Sequence, residues 1–133
     1  MANGTIAFDT LSTSGQISGR ATSLDSDYLV SGSSKAWINY TGSDASINDS
    51  LNITSTTDDA TGKDTVTINN DMDNVNYSAT MGCSRNGATT ADNQTEGFFA
   101  IATGSIKINT MRADNGAYAD FTVVTMQIVG DLA

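Results

Sequence analysis

The sequence predicts an all-β protein: a single antiparallel two-sheet sandwich, jelly-roll or immunoglobulin-like, with an N-terminal extended arm. Three observations predict it. The chain has 133 residues, enough for one domain that buries a real core. Its apolar residues fall in short pulses such as "AWI", "GFFAIATG" and "DFTVVTMQIVG", broken by Gly, Asp, Asn, Ser and Thr. Residues that favour helix interiors are scarce, and Glu96 is the only glutamate.

Residues 1–30 carry one clear apolar pulse at Ile6 and Phe8, then thin ones at Leu11, Ile17 and Leu24. That pattern predicts an arm lying across a partner or along the body, with the sandwich in 31–133; an ordinary first strand is the alternative. "KAWINY" puts Ala36, Ile38 and Tyr40 on one face and Lys35, Trp37 and Asn39 on the other, the period of a strand. Leu51 and Ile53 alternate within "SLNITST", as Val66 and Ile68 do within "DTVTIN". The "DDATGKD" between them predicts a hairpin whose loop exceeds two residues.

"VNYSATMG" aligns Val75, Tyr77, Ala79 and Met81 on one face. A polar loop is expected from Cys83 to Gly97, long enough to suggest a contact surface. "GFFAIATG" and "SIKINTM" read as two strands broken near Gly104, and Asn115-Gly116 reads as a tight turn. The last run places Phe121, Val123 and Val129 on one side and Val124, Met126 and Ile128 on the other, as in a central strand or one buried against another subunit. The sum is about seven or eight strands, the expectation for a sandwich, with a small β-barrel as runner-up.

The net charge of −9, with three lysines and three arginines dispersed along the chain, leaves no basic stripe to neutralise phosphates. Neither nucleic acid nor a membrane surface is an expected partner. "MANGTIAFDT" has no basic start followed by an apolar stretch, so a cytoplasmic origin is expected. Cys83 is the only cysteine, which excludes an internal disulfide. The lack of histidine removes the commonest general base and metal ligand.

Acidic residues are the remaining candidates for chemistry. Asp58, Asp59 and Asp64 share one predicted loop and Asp71 and Asp73 another, but neither run has the spacing of an EF-type calcium loop. Solvated turns are the expected reading, with no cofactor, no metal and no enzymatic activity. Asn39, Asn48, Asn52, Asn76 and Asn93 match the glycosylation pattern, as chance provides in a chain this rich in Asn, Ser and Thr. A core tryptophan is the expected reading of Trp37; a sugar-stacking platform of Trp37 and Tyr40 is the alternative.

Lys35 to Tyr40, Ser50 to Ser55, Thr57 to Val66 and Met72 to Tyr77 follow in order the pattern K-A-W-x-N-F/Y, (S)(F/L)N(V/I)(T/S)S, TDNGTGDYTV and M-x-x-x-N-Y. In this the chain resembles the small structural proteins of tailed bacteriophages, especially marine and cyanobacterial ones, and domains of phage fibres. "TIAFDTLSTSGQISG" resembles the start of short members. The hairpin departs from the pattern at Ala60, where Gly is favoured. The resemblance implies a non-enzymatic β-domain of a virion, assembled in the host cytoplasm. The expected role is decoration of the outer capsid surface, bound to the major capsid protein and to itself, most plausibly as a trimer. Ile6, Phe8 and Leu11 are the expected arm anchors. The alternative is a tail fibre or adhesin component that binds a glycan of the host cell surface.

Overall fold

The computed structural model describes residues 30–85 and 94–133, together with two short strands, β1 (Ile17–Ser18) and β2 (Ser23–Leu24), that pair antiparallel. Ile6, Phe8 and Leu11 lie outside the described residues, and so does all of the predicted arm except these two strands and Val30. Eight further strands form two antiparallel sheets. They are β3 (Ser34–Thr41), β4 (Ser46–Leu51), β5 (Ile53–Ala60), β6 (Lys63–Ile68), β7 (Ser78–Ser84), β8 (Gln94–Ile101), β9 (Ser105–Arg112) and β10 (Val123–Val129). One sheet has the order β4-β3-β10-β7 and the other β5-β6-β9-β8, packed as a sandwich.

Alternation decides what the sandwich buries. Ala36, Ile38 and Tyr40 of β3, beside Val124, Met126 and Ile128 of β10, face Val66 and Ile68 of β6 and Ile106 and Ile108 of β9 in one core. Each fully buried large side chain contributes roughly 1.5–3 kcal/mol of hydrophobic stabilisation. Phe121 and Met72 close the two ends of that core from outside the strands. The expectation for the last run holds: β10 is a central strand, flanked by β3 and β7.

Several local expectations are corrected. Leu51 and Ile53 do not share a strand, because the chain turns at Asn52, whose φ of 57° lies in the left-handed region that Asn tolerates. Asn52 fastens this corner to the end of β6: its Nδ2 donates to the Asn70 carbonyl at 3.1 Å, and the Asn70 N–H donates to its Oδ1 at 2.8 Å. The β5–β6 loop is two residues, Thr61-Gly62, and not longer. Asp59 is left unpaired as a bulge, which absorbs the extra residue.

Gly62 supplies the positive φ of 62° this turn needs, so Ala60 serves as an ordinary paired residue where the phage-like pattern has Gly. A Cβ at Gly62 would also lie 2.4 Å from the Thr110 carbonyl oxygen. Asp58, Asp59 and Asp64 therefore belong to strands rather than to a shared loop. The polar segment after β7 is shorter than expected: Cys83 lies in β7, Glu96 and Gly97 lie in β8, and residues 86–93 are outside the described residues. Val75 does not join the inward row of Ala79 and Met81; it is exposed in the connection that precedes β7.

Candidate functional site

Trp37 and Tyr40 part company, because residues of opposite parity on β3 point to opposite faces. Tyr40 is in the core, so no platform joins the two. Trp37 stands half-buried on the outer face of the β4-β3-β10-β7 sheet, which corrects the expectation of a core tryptophan.

The register builds a groove beside it. One row across the sheet is Leu51, Trp37, Gln127 and Thr80; the next is Asp49, Asn39, Thr125 and Gly82. Trp37, Asn39, Thr80, Gly82, Thr125 and Gln127 line an open cavity of about 590 Å³, within the size range of small-molecule sites. The floor is low where Gly82 lacks a side chain. A glycine inside a strand weakens it, and often marks close approach of a ligand or another backbone. Two polar groups of the groove are already oriented: the Asn48 Nδ2 donates to Asn39 Oδ1 at 3.2 Å, and the Thr125 hydroxyl donates to the Gly82 carbonyl at 3.3 Å.

A second feature lies inside the sandwich. The Tyr40 hydroxyl donates to Asp64 Oδ2 at 2.8 Å, joining β3 of one sheet to β6 of the other. Asp64 is 2% exposed and its Oδ1 has no hydrogen-bond partner. Burial pushes its carboxyl up to about 6, against the lowering effect of the Tyr40 hydrogen bond and with help from the charges of Asp58, Asp120 and Asp59. The Tyr40 hydroxyl is itself pushed up, first by burial and then by Asp64. This pair braces the sheets; it does not line the groove.

A third feature is one end of the sandwich. Strands β3, β7, β5 and β9 begin there, and β10, β4, β6 and β8 end there. Of the eight large apolar residues exposed among the described residues, five gather at this end: Val30, Leu51, Val75, Ile101 and Leu132. The Lys35 ammonium donates to the Val30 carbonyl and to Ser33 Oγ, which holds the entry from residues 1–29 at the same end.

The acidic candidates do not assemble. The Asp59 carboxylate accepts from the Thr65 hydroxyl at 2.6 Å and from Lys107 Nζ at 3.2 Å, which hold it below its usual range. Asp71 and Asp73 sit on an exposed connection, where the Asp73 N–H donates to the Asp131 carbonyl. Among the described residues, no three acidic or thiol side chains are grouped to hold a metal. The Cys83 thiol is pushed up to about 12 by burial and by Glu96. Trp37 shares its groove with Gly82 rather than with Tyr40, and a glycine between Met81 and Cys83 in an alternating run is the sequence signal that marks it. No family model matches the chain, and no curated protein or solved structure matches it at a significant level, so its function has to be argued from these residues.

Proposed function

We propose that the chain is a structural protein of a tailed-phage virion that decorates or cements the outer capsid surface. The observation that carries this reading is the gathering of exposed Val30, Leu51, Val75, Ile101 and Leu132 at the end where residues 1–29 join the sandwich. Apolar side chains left in water next to an arm suit a surface that is covered on assembly. The arm, through Ile6, Phe8 and Leu11, would extend that contact to the major capsid protein and to neighbouring copies in a trimer. The phage-like order of the strand motifs from Lys35 to Tyr77 agrees with it.

Electron cryo-microscopy of the purified particle tests the proposal. Density for this chain is expected to repeat over the capsid lattice. Density confined to the tail would overturn it and favour the fibre or adhesin alternative. Phe8→Asp and Leu132→Asp are each expected to weaken attachment to particles by at least about tenfold, as loss of a buried apolar anchor does. Attachment unchanged in Phe8→Asp would remove the arm from the contact.

A further inference from the structure

We infer that the groove on the outer face of the β4-β3-β10-β7 sheet is a binding site for a neutral carbohydrate chain, with Trp37 as its stacking surface. The inference does not depend on where on a particle the chain sits.

The charge pattern selects the ligand. The chain carries 21 charged residues among 133, yet among the described residues no charged side chain lines the groove. Asp49 stands across from Asn39 at the edge, on the neighbouring strand. An anionic ligand meets a molecule of net charge −9 whose cation on this face, Lys35, is turned to the Val30 carbonyl and Ser33 Oγ and does not line the groove. A cationic ligand finds no carboxylate inside. What the groove offers is one indole face, the amides of Asn39 and Gln127, and the hydroxyls of Thr80 and Thr125.

A neutral pyranose has the matching form, with a face of C–H groups for the indole and a rim of hydroxyls that both donate and accept. Amide and hydroxyl side chains also do both. Gly82 leaves room for the ring to approach the sheet. The hydrogen bonds already made by Asn39 and Thr125 limit the ordering that binding would require. A protein partner suits this surface less well, because the cores of such interfaces are apolar and this floor is largely hydroxyl, amide and glycine.

Trp37 is the only tryptophan, so tryptophan emission, excited selectively over the four tyrosines, reports on this groove alone. The whole chain is titrated with hexasaccharides of glucose, mannose, galactose and N-acetylglucosamine, and with polygalacturonate, each up to about 10 mM monosaccharide. A saturable change with at least one neutral sugar, and none with polygalacturonate, is expected. Gly82→Val fills the floor and keeps the fluorophore; a Cβ there meets only Thr125 Oγ1 at 3.6 Å, an ordinary contact. It is expected to weaken binding at least about tenfold with an unchanged circular dichroism spectrum, and calorimetry is expected to show the same loss in Trp37→Ala.

Silence with every neutral sugar overturns the inference, as does undiminished binding by Trp37→Ala. A response to polygalacturonate alone overturns it too. A dimer in sedimentation that Trp37→Ala dissociates would assign the face to a second copy instead. Particle attachment is read with Leu132→Asp, which lies outside the groove lining, so the two proposals fail separately.

Discussion

The outer faces of the two sheets start from the same pattern and end differently. On the β5-β6-β9-β8 sheet, Lys107 binds Asp59 at 3.2 Å, Thr65 binds the same carboxylate, and Lys63 lies 4.4 Å from the centre of the Tyr118 ring. Gly97 of β8 faces Asn109, whose Oδ1 is 3.2 Å from where a Cβ would stand. That face holds Lys107, Asp59 and Lys63 with its own residues and fills the space over its glycine. On the β4-β3-β10-β7 sheet, Gly82 of β7 faces Thr125 with room to spare, and the surrounding lining is uncharged with one aromatic ring. A solvated face answers to water, whereas the Trp37 face is left with unspent contacts.

The largest effect should come from what both faces rest on. Phe121 is fully buried beside the end of the core, and Phe121→Ala is expected to cost about 3–5 kcal/mol in urea unfolding. Since one core supports both sheets, near-native stability would mean that the faces are held independently. Next in size is a pH effect from Asp64. Its folded carboxyl titrates near 6, above the ordinary 3.8, so the folded state binds the proton more tightly. The corresponding stability is fully present below about pH 4 and is lost as pH rises through 6, on the order of 3 kcal/mol in total. Asp64→Asn should flatten that loss between about pH 4 and 7 relative to the parent. Parallel profiles for the two proteins would mean that Asp64 does not hold its proton in the folded state.

Much of this was legible in the sequence. Alternation in "KAWINY" and in the run to Val129 placed the core residues of β3 and β10, because a half-buried strand has to repeat every second residue. The boundaries were less legible. The turn at Asn52 is made by a left-handed residue inside an apolar alternation that looks continuous, and the bulge at Asp59 shortens a loop whose composition suggests a longer one. The groove was half legible: Trp37 faced away from Ile38 by parity, but its neighbours Thr80, Gly82, Thr125 and Gln127 come from strands distant in the chain. Only the pairing of β10 with both β3 and β7 brings them together.

The smallest effect discriminates best between the faces. Lys107→Ala removes an exposed ion pair, whose worth is typically within about 1 kcal/mol and falls as salt screens it. Its cost in urea unfolding should therefore shrink between low and high ionic strength. Trp37→Ala removes no charge, so whatever it costs should stay the same across that range, and salt should not alter sugar binding by the parent chain. If instead the cost of Trp37→Ala varies with salt as steeply as that of Lys107→Ala, charges act on the groove from its rim, where Asp49 and Lys35 stand. Those two charges, rather than the indole, would then select the ligand.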